Sequence, residues 1–313
     1  MRKVIVSGAN GFVGSALVKE LAANGIEVAA LDVEGHTDCI PNDKLVTFYP
    51  FSLEHAEELE DEIKEKDFDT FYHLAWSGSA GEERSDISLQ LLNAEWTADC
   101  LKMAKNLGCR RFINAGSIME LETIRAVFYP GNRPGPGYIY GAGKLAAHAM
   151  CKSAAADIGI DLIWAMITNA YGVGEKSARL VNTTIRKCIK GEKLQFTSAT
   201  QNYDFVYIDD VARAFRLIGE KGKAFHEYVI GSSHAKPLKE FLLEIKRLVS
   251  PSLDFNFGEI PFTGIGLSLE DFDCSRTEKD TGFRAEIDFS EGCKRTIDWM
   301  LAVMEEERNE PEV

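Results

Sequence analysis

Short apolar runs rich in β-branched residues alternate with helix-length amphipathic stretches along the first half of the chain. The strands that this pattern predicts are Val4–Ser7, Glu27–Leu31, Val46–Phe48, Thr70–Leu74, Arg111–Asn114 and Leu162–Ala165. The helices that it predicts between them are Phe12–Asn24, His55–Glu65, Ser88–Leu107 and Tyr140–Ile158. Strands that alternate with helices of this length are typical of βαβ units. We therefore expect an α/β fold with a doubly wound parallel sheet.

The pattern becomes less regular after Gly172. It still predicts helices near Leu180–Lys190, Lys236–Leu248 and Gly292–Glu306. The segment Pro261–Leu267, rich in Gly and Pro, interrupts them and is typical of a loop. We expect residues 1–168, with part of 203–230, to form the domain that contains the sheet. Residues 169–313 are expected to form mainly a smaller C-terminal lobe that binds substrate.

Charge and cysteine content narrow the range of partners. The 49 acidic and 35 basic residues give a net charge of −14, whose long-range field repels nucleic acid and anionic membranes. The seven cysteines form no Cys-x-x-Cys pair and no zinc-type spacing with histidine, so we expect reduced thiols and no metal site. The apolar run after Lys3 is one strand long, shorter than a signal peptide requires. A cytoplasmic location is expected.

A glycine-rich segment joins the first predicted strand to the first helix. Its sequence is Gly8-Ala9-Asn10-Gly11-Phe12-Val13-Gly14, whose glycines allow a tight turn and close approach of a pyrophosphate to the helix N-terminus. Asp32, at the end of the second strand, is placed to accept hydrogen bonds from an adenosine ribose and to repel a ribose phosphate. Together these features predict a Rossmann-type domain that binds NAD rather than NADP. The alternative is an ordinary tight turn followed by a solvated aspartate.

A tyrosine and a lysine one helical turn apart are the candidate catalytic pair. Tyr140 and Lys144 share one face of a predicted helix, and a nearby ammonium favours ionisation of a phenol whose ordinary pKa is about 10. Ser117 follows the fifth predicted strand. The carboxyl ends of parallel strands gather ligands, so all three side chains are expected at one site. The chemistry that they predict is general acid–base catalysis on an alcohol or ketone.

These motifs resemble a known family over nearly the whole chain. The residues that carry the resemblance are Gly8-x-x-Gly11-x-x-Gly14, Ser117, Tyr140-x-x-x-Lys144, Asn169-x-Tyr171-Gly172 and Asp204-Phe205-Val206-Tyr207-Ile208-Asp209-Asp210-Val211. The pattern is similar to the extended short-chain dehydrogenase/reductase family, in its NAD-dependent epimerase/dehydratase group that acts on nucleotide sugars. The resemblance implies a seven-stranded Rossmann domain and a C-terminal substrate lobe. It also implies a homodimer packed through two helices, here Ser88–Leu107 and Tyr140–Ile158.

The resemblance also implies a role for each site residue. Tyr140 is expected to move the proton, Lys144 to hold the nicotinamide ribose and tune Tyr140, and Ser117 to position the reacting oxygen. The residues expected to contact NAD are Gly8, Asn10, Gly11, Phe12, Val13, Gly14, Asp32, Leu74, Ala75, Asn93, Tyr140, Lys144 and Ile167. The residues expected to contact substrate are Asn169, Arg179 and Tyr203.

Departures from the family pattern restrict the reaction. Dehydratases of this group carry an Asp-Glu pair after the serine, where this chain has Met119-Glu120. Enzymes that invert carbons beside a ketone add acid–base residues, often Cys or His, and Ile118-Met119 offers neither. The remaining chemistry is hydride transfer at one carbinol carbon, with C4 of a hexose favoured. Both a 4-ketoreductase and a 4-epimerase stay open.

Other departures concern the substrate. Tyr203 stands where many members have an arginine that grips the diphosphate, and Gly264–Asp273 contains no arginine. Arg179 or Arg276 could replace it as a phosphate clamp, or both could be surface charges. The substrate could also lack a diphosphate, which leaves a reductase of another alcohol or ketone as an alternative. A non-catalytic NAD sensor is disfavoured, since it needs no activated phenol. The segment after Gly172, with Gly174-Glu175-Lys176-Ser177, is expected to close over substrate.

Overall fold

The computed structural model describes residues 1–309, in which one large sheet and three small ones are formed. The strands are β1 (Lys3–Ser7), β2 (Glu27–Asp32), β3 (Val46–Pro50), β4 (Thr70–His73), β5 (Arg111–Ser117), β6 (Asp161–Ile167), β7 (Asn169–Tyr171), β8 (Leu194–Phe196), β9 (Asn202–Tyr203), β10 (Phe205–Tyr207), β11 (Glu227–Ile230), β12 (Lys236–Pro237) and β13 (Phe255–Phe257). The large sheet is entirely parallel, in the order β11-β6-β5-β4-β1-β2-β3. The expected doubly wound Rossmann-type sheet is confirmed.

Helices cover both faces of this sheet. They are α1 (Phe12–Ala23), α2 (Leu59–Glu62), α3 (Ile87–Asn106), α4 (Met119–Phe128), α5 (Tyr138–Ile158), α6 (Leu180–Lys190), α7 (Ile208–Lys221), α8 (Leu238–Val249), α9 (Ser275–Thr281) and α10 (Phe289–Asn309). Three short 3₁₀ helices lie at Leu53–Glu58, Glu82–Ser85 and Leu269–Phe272. Helices α1 and α7 pack together on one face, and α3 and α5 pack together on the other.

The central strand β1 shows why the sheet is buried on both faces. Val4, Ile5 and Val6 are all fully buried, although neighbouring side chains point to opposite faces. Val4 and Val6 belong to the core beneath α1 and α7, whereas Ile5 belongs to the core beneath α3 and α5. Complete burial of one such side chain contributes roughly 1.5–3 kcal/mol to folding. The uninterrupted apolar run therefore places β1 at the centre of the molecule.

The sequence pattern locates most of the sheet. All six predicted strands are present, and β11, inside the 203–230 range, pairs with β6 as the seventh. The predicted helix His55–Glu65 is wrong: a 3₁₀ helix and the single turn α2 replace it, and His55 has non-helical dihedrals (φ −129°, ψ 45°). Seven carboxylates crowd residues 54–65, and their repulsion disfavours a longer helix. They are Glu54, Glu57, Glu58, Glu60, Asp61, Glu62 and Glu65.

Three two-stranded sheets build the part of the chain beyond β6. Strand β7 pairs with β10 and β8 with β13 in parallel, while β9 pairs with β12 in antiparallel fashion. The helix predicted from Lys236 begins at Leu238 instead, because Lys236–Pro237 is the strand β12. The last helix begins three residues before the predicted Gly292, at Phe289. The division of the chain into domains at residue 168 stays a prediction.

The cysteines are structural thiols. All seven are free, and six of them are buried. Burial raises the pKa of the Cys188 and Cys274 thiols to about 11, so both stay protonated near neutral pH. Within residues 1–309, no three His, Cys, Asp or Glu side chains gather as metal ligands would. Over the same range, no helix combines the length and hydrophobicity needed to cross a bilayer.

Candidate active site

A cavity of about 680 Å³ opens at the carboxyl ends of the central parallel strands. This edge of a doubly wound sheet is where such folds bind ligands, because the loops after neighbouring strands converge there. The cavity brings together most of the residues that the sequence predicts for the site, namely Gly8, Asn10, Gly11, Phe12, Val13, Gly14, Asp32, Leu74, Ala75, Ser117, Tyr140, Lys144, Ile167 and Arg179. Asn93, Asn169 and Tyr203 are not among its lining residues.

The glycine-rich loop has no room for side chains at two of its glycines. Gly8 has φ +70°, and a Cβ atom on it would lie 2.7 Å from the Ala75 nitrogen. A Cβ atom on Gly14 would overlap the Gly8 carbonyl oxygen. Gly11 precedes α1 without a side-chain cap, so the first N–H groups of the helix stay available. This cradle fits a pyrophosphate group.

Asp32 closes the same end of the cavity. One carboxylate oxygen accepts a hydrogen bond from the Asn10 backbone at 2.7 Å, and the other accepts one from Val33 at 2.9 Å. A carboxylate has about four acceptor positions, so two remain for ribose hydroxyls. Neighbouring lining residues include Val33, His36 and Glu54 but neither lysine nor arginine. The residues present therefore fit NAD, and they offer no cation to the extra phosphate of NADP.

Lys144 is buried one turn beyond Tyr140 on α5. Its ammonium donates a hydrogen bond to the Ala115 carbonyl at 2.8 Å and lies 3.7 Å from the centroid of the Trp76 ring. The side chain is only 4% exposed, and burial lowers the Lys144 pKa to about 7, although Glu120 opposes this decrease. Its charge near neutral pH is therefore sensitive to whatever fills the cavity.

Burial acts on Tyr140 in the opposite direction. It raises the Tyr140 pKa, and the increase is opposed by Arg179, by Arg84 and by hydrogen bonding with Ser117. The ring meets the Trp76 ring edge-on, with centroids 6.0 Å apart. The sequence predicts Lys144 as the cation that tunes Tyr140. The structure adds two arginines to that environment.

Glu120 is locked behind the site rather than inside the cavity. The carboxylate is 1% exposed and accepts hydrogen bonds from the Ser117 backbone at 2.8 Å and from the Trp164 indole at 3.0 Å. His148 lies 3.0 Å away and stacks on Trp164 with ring centroids 4.3 Å apart. A carboxylate held in this way cannot reach a sugar carbon, so it is not placed as an elimination base. Glu120 instead links the end of β5 to β6 and α5, and the expectation that the chain is no dehydratase stays a prediction.

Three residues expected at the site lie in its supporting structure. Asn93 is buried, and its side chain accepts from the Ser77 backbone N–H at 2.8 Å and donates to the Ser77 carbonyl at 2.9 Å. Asn169 donates to the Asp204 carbonyl at 3.2 Å. Tyr203 stacks on Phe205, and burial raises its pKa to about 12. Their contacts with cofactor or substrate stay predictions.

The two candidate phosphate clamps are placed differently. Arg179 lines the cavity, with its guanidinium 3.4 Å from the Glu175 carboxylate. Ser177 donates a 2.6 Å hydrogen bond to the same carboxylate. Arg276 is 60% exposed beside Glu227 and does not line the cavity, so it is not placed as a clamp. Closure of the segment after Gly172 stays a prediction.

Arg84 contacts the site residue Tyr140 although it does not line the cavity, and the sequence analysis misses it. It lies on the 3₁₀ helix Glu82–Ser85, and its guanidinium carbon is 4.6 Å from the centroid of the Tyr140 ring. No motif surrounds it, because an arginine in an acidic loop is usually a solvated charge. The packing of this loop on α5 brings it to Tyr140, and sequence spacing carries no signal for that.

Curated relatives resemble the chain along nearly its whole length. UDP-glucuronic acid decarboxylase 1 of Xenopus tropicalis is 24% identical, over 98% of this chain and 74% of that protein. The dTDP-4-dehydro-6-deoxyglucose reductase of Escherichia coli is 22% identical, over 94% of this chain and 96% of the reductase. The chain is thus similar to proteins whose named reactions differ.

A solved structure and a family pattern complete the comparison. The UDP-glucose 4-epimerase of Thermotoga maritima, solved with UDP-glucose, superposes with a TM-score of 0.80 at 21% identity, over 96% of this chain and 99% of the epimerase. At that identity the likeness shows the fold. The sequence model of the NAD dependent epimerase/dehydratase family matches residues 4–231, which include the glycine-rich loop, Ser117, Tyr140 and Lys144. Since this match spans most of the chain, the protein belongs to the NAD dependent epimerase/dehydratase family and is an NAD-dependent enzyme.

Proposed function

We propose that the protein transfers hydride reversibly at one carbon of a nucleotide sugar, C4, as a 4-ketoreductase or a 4-epimerase. The observation that carries this proposal is the contrast between Tyr140 and Glu120. Tyr140 and Ser117 face the cavity, whereas Glu120 is fixed behind them by Ser117, Trp164 and His148. The site is equipped to move one proton on a substrate oxygen and lacks a free carboxylate in the position from which dehydratases eliminate water.

Each catalytic side chain has a defined task in this proposal. Bound NAD would supply the hydride acceptor or donor. Ser117 holds the reacting oxygen, and Tyr140 takes its proton as the alcohol becomes a ketone, then returns a proton in the reverse direction. Lys144 holds the nicotinamide ribose and favours ionisation of Tyr140. The glycine-rich loop and Asp32 would hold the pyrophosphate and adenosine ribose, with Leu74, Ala75 and Ile167 along the cavity wall.

The relatives support both forms of the proposal. One is named a reductase of a 4-dehydro sugar nucleotide, and one solved neighbour is named a 4-epimerase. Both reactions use the same proton transfer at one oxygen. They differ in the origin of the ketone: a 4-ketoreductase binds a 4-keto sugar and releases the alcohol, whereas a 4-epimerase forms the ketone within the site and reduces it again before release. Arg179 and Lys144 both line the cavity; because Lys144 is assigned to the nicotinamide ribose, Arg179 is the candidate to bind the substrate's diphosphate.

The test begins with the purified protein. Nucleotide released by acid is identified first, and a 4-keto-6-deoxy nucleotide sugar is then added with NADH and NADPH in parallel. Consumption of about one NADH per product alcohol identifies a ketoreductase. Retained NAD, with interconversion of UDP-glucose and UDP-galactose or of another C4 pair, identifies an epimerase.

Two outcomes would count against the proposal. Turnover of simple alcohols or ketones in preference to every nucleotide sugar would support the alternative substrate class that Tyr203 suggests. The second outcome is tight NAD binding without turnover of any substrate. If Tyr140→Phe also leaves the NAD affinity unchanged, the protein would be better explained as a non-catalytic NAD sensor.

A further inference from the structure

The environment of Arg84 is unusual for a charged side chain beside a cavity. The residue is half-buried, and its Nε atom is buried without a hydrogen-bond partner among the residues that the structure describes. Over the part of the chain that the structure describes, its guanidinium makes no ion pair within 4.0 Å, although it acts through space on the Glu122 carboxylate, whose pKa it lowers. Removing a cation partly from water costs free energy, so other interactions must compensate for that cost. One of them is with the face of the Tyr140 ring, whose centroid lies 4.6 Å from the guanidinium carbon.

A buried glutamine fixes the segment that carries Arg84. Gln90 on α3 is 1% exposed, and its amide nitrogen donates to the carbonyls of Gly78 and Glu83, both at 3.1 Å. Its amide oxygen accepts a 2.8 Å hydrogen bond from the Trp76 indole. One side chain therefore sets the positions of both Trp76 and the turn before Arg84. The contact between Arg84 and Tyr140 is built into the fold at this point.

Two cations and two aromatic rings form a continuous chain of contacts at the site. The Lys144 ammonium lies 3.7 Å from the Trp76 centroid, Trp76 meets Tyr140 edge-on at 6.0 Å, and Arg84 covers the Tyr140 ring. A cation over an aromatic face is attracted by the ring, and more strongly when the ring oxygen becomes negative. Lys144 thus reaches Trp76, while the ring that reacts is covered by Arg84.

We propose that Arg84 is a positioning residue for Tyr140: it holds the phenol ring in place and stabilises its ionised form alongside Lys144. The proposal deepens the proposed hydride-transfer site and rests on Tyr140 being its acid–base group. It assigns a task to a residue outside the Ser-Tyr-Lys set. It also gives a reason for a half-buried arginine whose Nε atom has no hydrogen-bond partner among the described residues.

The charges around the pair determine the direction of the effect. Burial raises the Tyr140 pKa and Glu120 adds to the increase, whereas Arg179 on the segment before α6, Arg84 on its 3₁₀ helix and Ser117 at the end of β5 lower it. Arg84 itself faces Glu122 on α4 and Tyr203 on β9, and it lowers the pKa of both. Removal of the Arg84 charge should therefore raise the Tyr140 pKa. Arg179 and Ser117 would still stabilise the ionised phenol.

The test measures ionisation of Tyr140 without any substrate. Protein labelled with ¹³C at tyrosine Cζ is titrated with and without NAD, and the signal lost in Tyr140→Phe identifies Tyr140. We expect Arg84→Gln to raise the ionisation midpoint by about one pH unit, the size expected for a desolvated cation–π contact. Arg84→Lys should restore part of the shift, because it keeps the charge. Arg247→Gln, an exposed arginine on α8, is the control and should leave the midpoint unchanged.

Kinetics provide the second readout once a substrate is known. The pH at which oxidation reaches half its maximal rate should rise in Arg84→Gln by the same amount as the Tyr140 midpoint. An unchanged midpoint in folded Arg84→Gln would overturn the proposal, as would Arg84→Lys behaving like Arg84→Gln. If Arg84→Gln does not fold, Arg84→Lys and Arg84→Met are titrated instead. The Tyr140 midpoint should then be higher in Arg84→Met than in Arg84→Lys, and equal midpoints would overturn the proposal. The titration is independent of the reaction catalysed, so failure of the proposed function would be seen separately, as absence of turnover.

Discussion

At the scale of single residues, burial has opposite consequences for the two members of the Tyr-Lys pair. It raises the pKa of the Tyr140 phenol and lowers that of the Lys144 ammonium to about 7. Both shifts disfavour the charged form of the side chain, because burial removes each group from water. Arg179 and Arg84 oppose the increase in the Tyr140 pKa and so favour ionisation of the phenol.

Tyr140→Phe should remove turnover and preserve NAD binding. The substitution deletes the proton-transferring oxygen but keeps the ring that contacts Trp76 and Arg84. General acid–base catalysis contributes about 10²–10⁴-fold, so we expect a decrease in kcat of at least about 100-fold. NAD affinity, measured by calorimetry, should stay within a few-fold of wild type. Turnover at the wild-type rate would contradict the assigned role.

Asp32→Ala should weaken NAD relative to NADP. The carboxylate accepts hydrogen bonds from Asn10 and Val33 and has acceptor positions left for the ribose. Loss of its charge removes both the ribose contact and the repulsion of a ribose phosphate. The ratio of the two dissociation constants is the measurement, and Asp32→Asn is the matched control for charge alone. An unchanged ratio in both variants would refute the role of Asp32.

Lys144 should make stability depend on pH when NAD is absent. Its pKa is about 7 in the folded protein against an ordinary value of 10.5, so the unfolded chain binds more protons between these values. The free energy of unfolding should then rise with pH in this window, by at most about 1.4 kcal/mol per pH unit. Denaturant unfolding of wild type and Lys144→Met isolates this contribution, with exposed Lys44→Met as control. A pH-independent difference between wild type and Lys144→Met would contradict the shift.

At the scale of elements, Glu120 connects the first turn of α4 to three neighbours. It accepts from the Ser117 backbone at the end of β5, from Trp164 on β6, and approaches His148 on α5. Sequence analysis identifies Glu120 only as part of the Met119-Glu120 pair that departs from the family's Asp-Glu pair. The structure shows that its carboxylate holds these elements together.

Glu120→Ala should therefore destabilise the fold. Removal of one member of a buried charged network leaves the others unpaired and typically costs about 3–5 kcal/mol. Glu192→Ala, at an exposed position after α6, should change the free energy of unfolding far less. The measurement is denaturant unfolding of both variants. Equal effects would mean that the buried hydrogen bonds contribute nothing measurable.

Features that depend on one strand or one helix could be predicted from the sequence, whereas features that depend on the packing of separate elements could not. Strand β1 could be predicted because three consecutive apolar residues between a basic start and a glycine turn are typical of a buried parallel strand. Tyr140 and Lys144 could be predicted because both lie on one helix. Arg84 could not, because its position depends on Gln90 and on packing of separate elements. Likewise, His55–Glu65 has helical spacing, yet local charge repulsion shortens the helix.

At the scale of the whole molecule, the surface of α3 and α5 bears on assembly. Ile87 and Leu91 on α3 are 63% and 59% exposed, and Met150 on α5 is 48% exposed. Large apolar side chains gathered on two packed helices are typical of an interface, and most oligomers of this kind are two-fold dimers. We propose that the protein is a homodimer through these helices, where the sequence analysis expects the interface.

Leu91→Lys should weaken that dimer. In the proposed dimer, the substitution would bring a lysine charge into the apolar contact between the two subunits. The variant should therefore sediment as a monomer at concentrations where wild type sediments as a dimer. Leu243→Lys is the control, since Leu243 is 44% exposed on α8, away from the proposed interface. A wild-type monomer, or a Leu91→Lys dimer of unchanged affinity, would contradict the proposed assembly.

The arrangement around Glu120 also bears on how new reactions could arise on this scaffold. Introducing an acidic pair by Met119→Asp would add one carboxylate next to Glu120, but the Glu120 carboxylate would stay bound to Ser117, Trp164 and His148. Release of the Glu120 carboxylate would require substitutions of both Trp164 on β6 and His148 on α5. Each substitution alone would leave buried polar groups without partners and so destabilise the fold. Under the proposed function, elimination chemistry would therefore need several coupled substitutions, because the hydrogen bonds that order the site also hold Glu120.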